Sequence, residues 1–136
     1  MSKGRMTTNM EHHEDLLDGF LEQLKDLFEY SEQPIYLYLD DNHWTGNRRF
    51  SDLLGYKSTD EVIGIKKPFL DAFVDDASQE SLATAYQEAM ERKVGSYIEV
   101  KLKKRDGGIV NTGVILVPIP YRGHIFALHF LSPKAQ

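Results

Sequence analysis

The chain has 136 residues, 41% of them apolar and 27% charged, and it has no cysteine. That length suits one domain able to bury roughly two-thirds of its unfolded surface, and the mixed charge is that of a folded protein, not of a disordered tail. The missing cysteine excludes a disulfide scaffold, cysteine-ligated zinc or iron–sulfur, and a cysteinyl nucleophile or photoadduct, and it fits a reducing compartment.

The net charge of −5 lies wholly in residues 1–33, where Lys3, Arg5 and Lys25 face eight acidic residues; the remainder is balanced. A neutral body with an acidic arm argues against nucleic-acid binding, which needs a positive footprint. The longest uncharged run, Gly107 to Tyr121, contains Pro118 and Pro120 and falls short of the roughly 20 apolar residues of a membrane span. MSKGRMTTNM has no apolar core behind its basic residues, so no signal peptide is expected. The expected location is the cytoplasm.

Residues 1–10 read as a polar, frayed terminus. Residues 11–33 carry an amphipathic helix, running to about residue 30. Leu16, Leu17, Phe20, Leu21, Leu24, Leu27 and Phe28 recur at three- and four-residue steps over an arc of about 140°. Each large apolar side chain gains roughly 1.5–3 kcal/mol on burial, so this face needs a partner. Packing on the chain's own body and pairing between two subunits are both open. Leu17, Leu21, Leu24 and Phe28 have heptad spacing, but the run is too short to specify a coiled coil. His12-His13-Glu14 reads as a solvated helix start with no metal, because adjacent helical residues diverge by about 100°.

Ser31-Glu32-Gln33-Pro34 ends that helix. Ile35 to Asp40 alternates Ile and Leu against Tyr36 and Tyr38, as a strand does. Asp41-Asn42 is a turn before a short second strand, His43 to Thr45. Asn47 is a good N-cap for a helix from Arg48 to Leu54, which Gly55 ends. Ser58 and Glu61 have capping-box spacing for another short helix. Pro68 to Phe73 reads as one more turn. Asp75-Asp76 introduces a longer helix through Arg92, with Leu82, Tyr86 and Met90 on one side and Gly95 beyond its end. Tyr97 to Lys103 is a strand, Lys104 to Gly108 a hairpin turn, Val110 to Val117 a strand, Pro120 to Gly123 a turn, and His124 to Leu131 the last strand. Val114 and Leu116 oppose Ile115, Val117 and Ile119; Phe126, Leu128 and Phe130 oppose Ile125, Ala127 and Leu131. Strands apolar on both faces predict a sheet covered on both sides. The order of elements is α+β.

Asn47-Arg48-Arg49-Phe50-Ser51-Asp52-Leu53-Leu54-Gly55-Tyr56, followed by Asp60-Glu61-Val62-Ile63-Gly64, Val74-Asp75-Asp76 and Lys104-Arg105-Asp106-Gly107-Gly108, resembles a PAS domain in order and spacing. The resemblance covers residues 34–131, with the preceding helix similar to the amphipathic cap of such domains and residues 132–136 left as a tail. It implies a five-stranded antiparallel sheet with short helices on one face, and a sensory or dimerisation module that is not an enzyme. Between sheet and helices it implies a pocket for a flavin, a haem, another small ligand or nothing. Cysteinyl-flavin photochemistry is excluded without a cysteine, and the asparagine positions that reach a flavin correspond here to Leu102 and Thr112. Haem is disfavoured because residues 77–92 contain no histidine. The identity of any cofactor stays unknown.

The resemblance places Phe50, Leu54, Phe69, Phe73, Leu82, Tyr86, Thr112, Val114 and His129 between sheet and helices. Most suit a hydrophobic core. Thr112, Tyr86 and His129 carry polar atoms that need partners if buried, which a ligand could supply. Lys101, Lys103, Lys104 and Arg105 read as a solvated strand face, with an anionic partner as the lesser reading. Leu17, Phe20, Leu21, Leu24 and Phe28 are the expected homodimer contacts. The chain stops at Gln136 without an output segment, so action on a signalling protein in trans is expected. The alternatives are a cone-shaped enzyme or binding protein resembling ketosteroid isomerase or nuclear transport factor 2, and a ligand-free adaptor. The enzyme needs a buried carboxylate or a His–Asp pair as base; Asp40, Asp52 and Asp71 read as turn or exposed-helix residues that offer none.

Overall fold

The computed structural model describes residues 9–134; 1–8 of the expected frayed terminus and 135–136 of the tail lie outside them. The expected first helix is two: α1 (Asn9–Gln23) and α2 (Lys25–Tyr30). At Leu24 the amide is shared between the carbonyls of Phe20 and Leu21, both at 3.1 Å. This tightening to three-residue bonding re-aims the chain. There follow β1 (Ile35–Asp40), β2 (His43–Gly46), α3 (Arg48–Leu54), α4 (Thr59–Ile63), α5 (Phe69–Phe73), α6 (Asp76–Arg92), β3 (Ser96–Lys103), β4 (Ile109–Tyr121) and β5 (His124–Pro133).

The strands form one antiparallel sheet in the order β2-β1-β5-β4-β3. Its inner face is roofed by α3 to α6, with Phe50, Leu54, Phe69, Phe73, Leu82, Val114 and Leu131 in a continuous core. Its outer face meets α1, where Leu16 and Phe20 are buried against Ile35, Leu37, Leu39, Phe126 and Leu128. Packing on the chain's own body is therefore realised. Leu17, Leu21, Leu24 and Phe28 lie half-buried at the border of this second cluster. Among the described residues no helix is long and apolar enough to cross a membrane.

Local signals hold at α3: Asn47 Oδ1 accepts from the Phe50 amide at 3.0 Å, and Gly55 closes the helix in the left-handed region. The same Oδ1 also takes the Ile35 amide, and Asn47 Nδ2 donates to the Gln33 carbonyl. This one side chain ties β1 to α3. The expected start of α4 and end of α6 hold; the expected end of β4 does not. Ser58 caps α4, while the Glu61 carboxylate accepts from the Lys57 amide and from Arg105 and not from the Ser58 amide. α6 ends at Arg92 as expected, with Lys93 closing it at φ 57°. β4 runs through Pro118 and Pro120 to Tyr121, leaving only Arg122 and Gly123, both at positive φ, as a type I′ turn. β3 leaves β4 after the Ser96–Leu116 pair. Beyond it β4 has β5 alone as neighbour, and prolines two residues apart remove amides from one side of a strand only.

Candidate functional site

On the inner face, alternation along β1 turns Tyr36 and Tyr38 toward the helices, while Ile35, Leu37 and Leu39 face α1. A cavity of about 110 Å³ opens between β1, β5, α5 and α6, lined by Tyr36, Tyr38, Phe69, Leu70, Leu82, Ala83, Tyr86 and His129. Four of the expected pocket residues therefore meet there: Phe69, Leu82, Tyr86 and His129. Phe50, Leu54, Phe73 and Val114 are buried deeper, in packed core. Thr112 is buried away from the cavity. Tyr36, Tyr38, Leu70 and Ala83 were not expected; the β1 alternation was visible, but not that its tyrosine face points inward.

Three of the polar side chains at the cavity bond to the protein itself. Tyr86 donates its hydroxyl to the Leu39 carbonyl at 3.2 Å, and Tyr38 donates to Asp41 Oδ1 at 2.8 Å. His129 Nδ1–H donates to the Ala127 carbonyl at 3.0 Å, and its ring stacks on Tyr36 with centroids 3.9 Å apart. Thr112 Oγ1 donates to the Val100 carbonyl at 2.8 Å. The partners that a ligand was expected to supply to Thr112, Tyr86 and His129 are backbone carbonyl oxygens.

Electrostatics keep the cavity neutral. Burial first, then the nearby carboxylates of Asp40 and Asp41, push the Tyr86 phenol above its usual range. Tyr38 is pushed up by burial and by its bond to Asp41. Burial drives His129 down to about 3, against the opposing pull of the Ala127 and Tyr36 backbone. At neutral pH these groups are uncharged, and none is poised as a proton shuttle. A volume of about 110 Å³ is also well below the roughly 300–1,000 Å³ of pockets holding drug-sized ligands and cofactors.

A second cluster lies at the rim of the outer face. Asp40 ends β1, His43 begins β2 opposite it, His124 begins β5, and His12 and His13 lie on α1. Asp40 Oδ2 accepts from His13 Nδ1 at 2.8 Å and Oδ1 accepts from His43 Nδ1 at 2.7 Å. The Asn42 amide also donates to Oδ1. His12 Nε2 and His124 Nε2 are 3.3 Å apart. The His13 ring centroid is 5.2 Å from both His43 and His124. Burial alone would raise the Asp40 carboxyl, but the hydrogen bonds from His43, Asn42 and His13 outweigh it and hold the group below its usual range. This corrects the expectation that no His–Asp pair exists. Asp40–His43 is such a pair, although it does not line the cavity. His12-His13 is likewise more than a solvated helix start. The residues are up to 112 positions apart, so no local spacing announces them; only the topology, which gathers the ends of β1, β2 and β5 under α1, brings them together.

The basic cluster separates on folding. Lys103 Nζ donates to the Asp71 carbonyl and Arg105 Nε to Glu61, while Lys101 faces solvent. No common anion site results.

No family model and no curated protein matches the sequence. Solved structures do match. The PAS domain of a two-component sensor histidine kinase aligns over 86% of this chain and 98% of its own, with a TM-score of 0.63 at 13% identity. The PAS domain of an HTR-like protein from Haloarcula marismortui covers 91% and 99%, with a TM-score of 0.61 at 20% identity. The PAS-B domain of Drosophila melanogaster Cycle, with bound ethylene glycol, covers 74% and 99%, with a TM-score of 0.63 at 11% identity. The fold resemblance read from the sequence is thereby borne out.

Proposed function

From the premise that the chain has the PAS fold, we propose that it is a sensory or docking module that works without catalysis and responds to a compact, largely apolar ligand of few heavy atoms. The carrying observation is the cavity of about 110 Å³ between β1, β5, α5 and α6. Its walls are aromatic and aliphatic, and the hydroxyls of Tyr38 and Tyr86 and Nδ1 of His129 are already paired. Such a pocket selects by size and shape, and it has no neutral-pH acid or base to turn a substrate over. Ligand entry shifts the population between arrangements of α6 and the sheet by its differential affinity for them. A cytoplasmic setting, with a signalling protein acted on in trans, fits this reading.

The test is native mass spectrometry of the purified protein together with amide NMR shifts on adding benzene, indole or imidazole. Binding that perturbs residues 36–38, 69–70, 82–86 and 129, and is lost in Ala83→Trp, supports the proposal. Absence of extra mass and of any shift across the three probes overturns it.

Homodimerisation belongs to the same proposal, with its surface revised. Leu16 and Phe20 are committed to the chain's own sheet. Leu27, Tyr30, Tyr97, Ile109 and Ile115 stay exposed on α2 and on the outer side of β3 and β4, beside the half-buried Leu17, Leu21, Leu24 and Phe28. The second chain sits across that uncovered half of the face. Sedimentation velocity showing a monomer at high concentration counts against this part and leaves the ligand test unaffected.

A further inference from the structure

Four of the chain's five histidines meet around one carboxylate at the rim of the outer face. The histidines come from α1, β2 and β5, and β1 supplies the carboxylate. One donor atom from each of His13, Asp40 and His43 lies within 4.8 Å of the other two. Zinc–nitrogen and zinc–oxygen bonds of about 2.0–2.2 Å place tetrahedral donors about 3.3–3.5 Å apart. The gap between these values is within the reach of side-chain torsions.

We propose that this cluster is a binding site for a divalent first-row transition ion of the zinc class, with His13, His43 and Asp40 as ligands and His124 as the fourth donor. Imidazole nitrogen with one carboxylate suits such an ion and does not suit magnesium or calcium, which take oxygen sets. The bound ion takes the place of the two protons now shared between Asp40 and the histidines. Each imidazole keeps its proton by moving it from Nδ1 to Nε2, so both rings stay neutral and Asp40 supplies the single negative charge. His12, whose Nε2 is 3.3 Å from that of His124, is a positioning residue that holds the fourth ring in place.

The site crosses a structural seam. His13 belongs to the helix on the outer face, while Asp40, His43 and His124 belong to the sheet beneath it. A bound ion fastens α1 to three strands, so its arrival and loss change how firmly the cap helix is held. This goes beyond the cavity reading and does not depend on it.

The experiment is titration of the chelator-treated full chain with zinc alone, in competition with a chromophoric chelator. Cobalt(II) absorption reports the coordination geometry. The expected result is one ion per chain with a dissociation constant at or below about 1 μM, tetrahedral cobalt bands, and a rise in thermal midpoint that EDTA reverses. His13→Gln, on the half-exposed side of α1, is expected to weaken binding at least tenfold and to abolish the thermal shift. His124→Gln is expected to weaken it less, and His12→Gln to weaken it only a few-fold. His43 is buried, so His43→Gln is read only if its circular dichroism matches the parent; His13→Gln decides the matter in either case. A stoichiometry well below one, or equal affinity in the parent and His13→Gln, overturns the site.

Discussion

The two faces of the sheet handle buried polarity in opposite ways. On the inner face, Asn47, Ser78, Thr112 and His129 each bond to nearby backbone. On the outer face, Asp40 and the histidines bond to one another, side chain to side chain. The first arrangement is complete in itself and rigidifies a core. The second can exchange its internal bonds for an outside species. The inner face is also roofed throughout, whereas the outer face is covered over β1 and β5 and bare at Tyr97 and Ile115.

The contrast can be broken at several points. Phe73 is fully buried and meets the rings of Trp44, Phe50, Tyr56 and Phe69. Phe73→Ala is expected to cost about 3–5 kcal/mol in urea denaturation; a cost under about 1.5 kcal/mol would show the inner face to be malleable. Asn47→Ala frees two amides and a carbonyl at a site 4% exposed. It is expected to cost about 2–3 kcal/mol, more than the ~1 kcal/mol of an ordinary cap, and a cap-sized loss would reduce Asn47 to a local role.

Stability against pH sharpens the same contrast. His129 titrates near 6.5 when unfolded but only at about 3 when folded. Between those values the unfolded chain binds the extra proton. Its contribution is therefore intact above pH 6.5 and is lost as pH falls toward 3, by about 2 kcal/mol at pH 5. His129→Phe keeps a ring against Tyr36 and is expected to flatten that part of the slope; an unchanged difference between pH 7 and pH 5 would place the slope elsewhere. The smallest effect is expected on the bare half of the outer face. Ile115→Ser, at a side chain 48% exposed, is expected to change stability by no more than about 0.5 kcal/mol while shifting self-association in sedimentation.

Much of the fold was legible because its signals are local. Asn47 and Gly55 bracket α3, Asp75 opens α6, and two-sided apolar patterning in β4 and β5 announced cover on both faces. Boundaries failed where a distant neighbour decides. Whether β4 passes through Pro118 depends on where β3 stops, and the bend at Leu24 depends on what the sheet offers α1. The cavity was half legible for a related reason. Phe69, Leu82, Tyr86 and His129 could be placed by element, but the direction of Tyr36 and Tyr38 is fixed by which face the helices cover. The histidine cluster was illegible, since adjacency of His12 and His13 says nothing of Asp40, His43 and His124 until the hairpin ends share one rim.

The two prolines near the end of β4 have one more consequence. Past Leu116 the strand presents a free edge on the side β3 has vacated. An edge of unpaired amides is a template on which another molecule can add a strand, and aggregation grows from such templates. With Pro118 and Pro120 in the overhang, the donors needed for that growth are missing. The stretch that juts beyond its neighbour is therefore the stretch least able to seed fibres, and concentrated preparations should resist assembly along that border.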